Sequence, residues 1–115
     1  MYQFSYAEVA QDTAADARER ERMALDHSID LLRRAEASGP RSRDAIEAIH
    51  ATRSLWALLV EDLASSENGL PDNLRAELIS IGLWIMREAE AIRLGKSTNF
   101  QGILEISQII RDGLN

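Results

Sequence analysis

Three clusters of turn chemistry divide this chain into helix-length pieces, and their spacing limits what it can fold into more than any other feature. The first is Ser38-Gly39-Pro40-Arg41, where Gly39 suits a helix C-terminus and Pro40 cannot continue the helix. The second is the stretch 65–73, SSENGLPDN, in which Asn68 and Gly69 end one helix and Pro71 opens the next. The third is 95–99, GKSTN. The pieces between them are rich in Ala, Leu, Ile, Glu and Arg, all compatible with helix. Short connections place successive helices side by side and antiparallel. The expected fold is therefore all-α: a small antiparallel bundle of about four main helices plus a short N-terminal segment, forming a single domain over residues 1–115. An apolar content of 45% supplies one core and not two.

Apolar periodicity gives each helix a face. The first, near residues 14–37, carries Ala14, Ala17, Leu25, Ile29, Leu32 and Ala35. The second, near 43–65, follows a Ser42 cap and carries Ile46, Ile49, Trp56, Val60 and Leu63, with Leu55 and Leu58 outside that stripe. The third, near 71–94, has Leu74, Leu78, Ile81, Ile85 and Ile92, and the fourth, near 99–114, has Ile103, Ile106, Ile110 and Leu114. Arg53, Leu55, Trp56, Leu78, Ile81 and Ile85 are assigned to the structural core. Arg53 falls inside the second stripe, where a guanidinium needs a carboxylate, helix-end carbonyls or an aromatic face.

The third helix has more apolar surface than a simple bundle requires. Its segment ISIGLWIM, 79–86, contains no charge, and Ile79, Leu83 and Met86 form a second ridge beside the main stripe. Such a ridge is either covered by the N-terminal segment or offered to a partner. Trp84 projects toward the flank of the main stripe and is the more exposed of the two tryptophans. Tyr2, Phe4 and Tyr6 crowd aromatic anchors into the N-terminus, as an arm that plugs the bundle's own groove or competes for it. Ile79, Leu83, Trp84, Met86, Tyr2, Phe4 and Tyr6 are the candidate partner-binding residues.

Charge and motifs exclude several functions. The net charge is -6, from 19 acidic and 13 basic residues, which repels polyanions, and no basic recognition helix is visible. The arginines of ARERERM, 17–23, alternate with glutamates and pair locally. The absence of cysteine removes disulfides and thiolate metal sites. Neither a signal peptide nor a membrane span is legible, so the protein is expected to be cytoplasmic. Glu47 and His50 have a bundle-metal spacing, but His27 has Ala24 where a second glutamate is needed. No metal or other cofactor is expected. The spacing of Arg22 with His27 and of Arg43 with His50 keeps a helical ribonuclease as an enzymatic alternative, and a homo-oligomerising bundle as a structural one. Neither a nucleophile elbow nor a phosphate loop is present, so no catalytic residues are assigned and the chain is read as a non-enzyme.

The stretch 52–85 resembles the FlaF family of flagellar biosynthesis regulators of alphaproteobacteria. The resemblance rests on Arg53, Leu55 and Trp56 in an Arg-x-Leu-Trp motif, Leu70 and Pro71 in a Leu-Pro loop, Leu74, Arg75 and Leu78 in a Leu-Arg-x-x-Leu helix opening, and an isoleucine-rich last helix. Tyr6 with Ala7, and Arg18, Glu19 and Glu21, extend it toward the N-terminus. Ala17 departs from the family pattern, which often has Pro before that arginine. The resemblance implies a cytoplasmic, non-enzymatic protein that binds flagellin, supports its synthesis and export, and works alongside the regulator FlbT.

Overall fold

A computed structural model describes the backbone of residues 6–113 and the side chains of residues 15–113. The described residues form four helices: α1 Tyr6–Ser38, α2 Arg43–Ala64, α3 Asp72–Arg93 and α4 Phe100–Asp112. The three breaks fall where turn chemistry places them. Gly39 has φ 104°, the left-handed conformation that favours glycine, and its N–H donates to the Ala35 carbonyl at 2.8 Å. The Ser42 hydroxyl accepts from the Ala45 N–H at 3.1 Å and starts α2; the Asn99 side chain accepts from the Gly102 N–H at 2.9 Å and starts α4. Helix α1 starts at Tyr6 rather than near residue 14. Periodicity marks only the part of a helix that packs, whereas residues 6–13 contain neither Gly nor Pro and can extend the helix ahead of its apolar face.

The far end of α2 is closed by a side chain. Arg75, from the first turns of α3, donates its Nε–H to the Leu63 carbonyl at 2.8 Å and its Nη2–H to the Ser65 carbonyl at 2.9 Å. These carbonyls have no intrahelical donor, so a cation across the loop both satisfies them and complements the negative end of the helix dipole.

Helix α2 packs against both α1 and α3, while α4 packs mainly on α1 and touches α3 only briefly. The core combines Leu25, Ile29 and Leu32 of α1, Ala48, Ile49 and Trp56 of α2, Ile85, Ala89 and Ile92 of α3, and Phe100, Ile103 and Leu104 of α4. Trp56 is the largest fully buried side chain. The buried hydroxyls of Ser28 and Thr52 lie 3.1 Å apart and hydrogen bond across the α1–α2 seam.

Of the residues assigned to the core, Arg53 lies outside it, and Leu55, Leu78 and Ile81 lie at its margin. Arg53 stands at the edge of the α2 stripe with an exposed side chain, its Nη1 3.0 Å from Glu90 Oε2. Ile46, on the same edge, is 69% exposed. A stripe drawn at helical spacing is wider than the seam two neighbouring helices close, so its margin reaches solvent. Leu55 is half-buried against the core. Leu78 and Ile81 are also only half-buried, for a reason set by helix length.

Candidate partner-binding surface

Cross-helix contacts fix the register. Ser28 of α1 meets Thr52 of α2, Gly82 of α3 lies against Trp56 and Val60 of α2, and Arg111 near the end of α4 meets Asp26 of α1 at 2.7 Å. Carried across the bundle, these place the C-terminus of α4 level with about residue 86 of α3, at about 1.5 Å rise per residue. Helix α4 has 13 residues and α3 has 22, so the first half of α3 has no α4 opposite it. Exposure follows: Ile85 is fully buried, Leu78 and Ile81 are half-buried, and Leu74 is 39% exposed. The stripe, read from sequence as core throughout, is core only at its upper end: Leu78 and Ile81 lie at the margin and Leu74 reaches solvent. The short fourth helix was the available signal, since residues 99–114 span less than residues 71–94.

The uncharged segment of α3 divides around Gly82. A Cβ on Gly82 would lie 2.7 Å from Val60 Cγ2 and 2.9 Å from Trp56 Cε3, so glycine allows α3 to approach α2 closely there. Ile79 and Met86 lie one turn to either side of Gly82, on the flank facing α2, and are half-buried; Leu83 turns farther out and is 45% exposed. At about 100° per residue, Trp84 points to the other flank of α3, toward the stripe of Leu74, Leu78 and Ile81. Trp84 and Met86 both pack on the margin of the core. The structure thus brings Ile79, Leu83 and Met86 together and separates Trp84 from them. Tyr2 and Phe4 lie outside the described residues, as does the side chain of Tyr6, whose backbone opens α1.

Above Met86 the ridge ends in charge. Glu90 accepts from the Arg93 guanidinium one turn along α3 and faces Arg53 across the α2–α3 seam. The hydrogen bonds from Arg93, with the charge of Arg53 added, hold the Glu90 carboxyl below its ordinary range. His27 and His50 are both exposed, and Arg43 and Glu47 pair with each other at 3.9 Å. Among the described residues no group of three His, Cys, Asp or Glu could hold a metal ion, and no helix is long and apolar enough to cross a membrane.

The arginines and tryptophan that hold α2 to α3 are also the ones that carry the sequence resemblance. A family model described as flagellar protein FlaF matches residues 2–114. The chain belongs to the FlaF family. A search of curated proteins and a search of solved structures each give no match. In this FlaF-family chain the motif residues have structural work: Arg53 bridges to Glu90, Trp56 fills the core against Gly82, and Arg75 caps α2. The uncovered surface of the FlaF bundle lies beside them, on the stripe from Leu74 to Trp84 and on the ridge at Leu83.

Proposed function

We propose that this flagellar protein is a cytoplasmic, non-enzymatic chaperone that binds an amphipathic helix of flagellin and supports its synthesis and export, alongside the regulator FlbT. The observation that carries the proposal is the partly exposed apolar stripe on the first half of α3, which has no α4 opposite it. There, Leu74, Leu78 and Ile81 continue a stripe whose upper residues, Ile85, Ala89 and Ile92, are buried. A helix from a partner, laid where a longer α4 would run, would bury that stripe with Trp84 at its upper end. The Ile79, Leu83 and Met86 ridge is a neighbouring surface on the α2 side of the same helix. Masking flagellin's own helices in this way would delay their assembly into a filament. At about 25 cal/mol per Å² of apolar area, less the cost of association, a few such anchors give binding that an export apparatus can reverse.

Co-purification with flagellin from the same organism tests this, using Leu74→Asp for the stripe and Leu83→Asp for the ridge. Both positions are exposed, so the variants should keep the wild-type circular dichroism spectrum. The expected result is a wild-type complex that Leu74→Asp abolishes, with a smaller loss for Leu83→Asp. Failure of the folded wild type to bind flagellin, or equal binding by both variants, rejects the reading.

A further inference from the structure

The α1–α2 turn, the first turns of α2 and the end of α3 with its following loop enclose an open cleft of about 590 Å³, which sequence reading did not anticipate. Its apolar part is made by Ile46, Ile49, Ile92 and Leu94, of which Ile46 and Leu94 are 69% and 51% exposed. Its charged part is made by Arg41, Arg53 and Arg93, with His50 beside them, and no carboxylate lines it. Glu90 partners both Arg53 and Arg93. Glu88 accepts a hydrogen bond from Ser97, which lines the cleft. Arg41 has no carboxylate partner among the described residues; its Nη2 lies 3.3 Å from the position a Cβ on Gly95 would take. Three guanidinium groups thus share one paired carboxylate in a chain whose net charge is -6.

We infer that this cleft binds a peptide segment of a partner protein in which Asp or Glu flanks a Leu, Ile or Phe. Guanidinium groups pair with carboxylates through two parallel hydrogen bonds, and Arg41 is free to do so without breaking an internal ion pair. Exposed Ile46 and Leu94 supply the contact for an apolar side chain next to the acid, a surface that a bare phosphate or a nucleic-acid backbone would leave unused. The cleft is partly open to solvent, whereas a small-molecule site encloses most of its ligand, so a peptide segment seated in it is the fitting occupant. The site is at the C-terminal end of α3, away from Leu74, and does not depend on the flagellin reading.

Panning a random linear peptide library against the full chain tests the inference. Selected peptides should place acids beside aliphatic or aromatic residues, and their binding should weaken with salt. Arg41→Glu and Ile46→Asp, both at exposed positions, should each reduce affinity by about tenfold or more with the fold intact, while Leu74→Asp leaves it unchanged. Winners without acids, winners unaffected by Arg41→Glu, winners lost only in Leu74→Asp, or a library without winners each overturn the assignment. Tighter binding of poly(U) RNA at the same arginines overturns it in favour of a nucleic-acid site.

Discussion

Substituting Gly82 by alanine sets two effects of opposite sign against each other, and the structure decides between them. In a helix interior, Gly→Ala alone is stabilising by about 1 kcal/mol, because glycine loses more backbone freedom on folding. Here the new methyl would lie 2.7 Å from Val60 Cγ2 and 2.9 Å from Trp56 Cε3, well inside the roughly 3.5–4.0 Å of relaxed carbon contact. Val60 is half-buried and can rotate away; Trp56 is fully buried and its ring has nowhere to move, so α2 and α3 must part. Overpacking of this kind costs about 1–3 kcal/mol, and contacts short on both sides of the methyl put this site at or above the upper half of that range. The net expectation is a loss of about 1–2 kcal/mol, or about 4–8 °C in melting temperature for a domain of this size. Urea unfolding followed by circular dichroism measures it without relying on tryptophan emission. In a Trp56→Leu background the same Gly82→Ala change should cost less, giving a favourable coupling energy in a double-mutant cycle. A Gly82→Ala protein as stable as wild type, or more so, would show that the α2–α3 approach is not limited by Trp56.

Arg75→Gln should lower stability by about 1–2 kcal/mol in urea titration, because it removes the Arg75 donor from the Leu63 carbonyl at the end of α2 and leaves the Ser65 carbonyl with the Asn68 N–H alone. Acid should weaken the fold through Glu90 and Asp26, whose carboxyls are held below their ordinary values of 4.5 and 3.8, Glu90 first by Arg93 and Asp26 first by Arg111. Their contribution is complete above those ordinary values and is lost as the pH falls through the lower folded values, so the urea midpoint should drop there and drop less in Glu90→Gln. Glu21 works in the opposite sense: burial and then the nearby Asp62 raise its pKa, so its ionised form opposes folding at neutral pH and Glu21→Gln should raise the melting temperature at pH 7.

The boundaries between helices were legible, unlike the start of α1, because local chemistry sets them: Gly39, Ser42 and Asn99 each satisfy or release a helix end within a few residues of themselves. Trp56 was legible as core because it is flanked at helical spacing by Ile49 and Leu63. Which margin of each stripe reaches solvent was not, because that depends on the length and height of the opposite helix. Leu78 and Ile85 are equivalent in α3's pattern, yet Ile85 is fully buried and Leu78 only half-buried, because α4 ends near the level of residue 86. The Arg41 cleft was still less accessible, since Arg41, Arg53 and Arg93 come from three separate segments that only the closed bundle brings to one end.

The residues that set the packing of α2 on α3 and those that would contact a partner are different sets, for a physical reason, although the family motifs include both: Arg53, Trp56 and Arg75 belong to the first and Leu74 and Leu78 to the second. Arg53, Trp56, Gly82 and Arg75 fix how closely and in what register α2 lies on α3, and that register determines where the uncovered half of α3 faces. Leu74 and Leu83 are 39% and 45% exposed, outside the fully buried core, so polar substitution there should change binding more than melting temperature. Substitution at Gly82 or Arg75 should instead lower stability first and binding only as a consequence. Measuring both quantities for all four positions therefore separates a binding surface from its support. If Leu74→Asp lowered the melting temperature as much as Gly82→Ala, the stripe would be part of the packed interior, and the helix-capture reading would lose its surface.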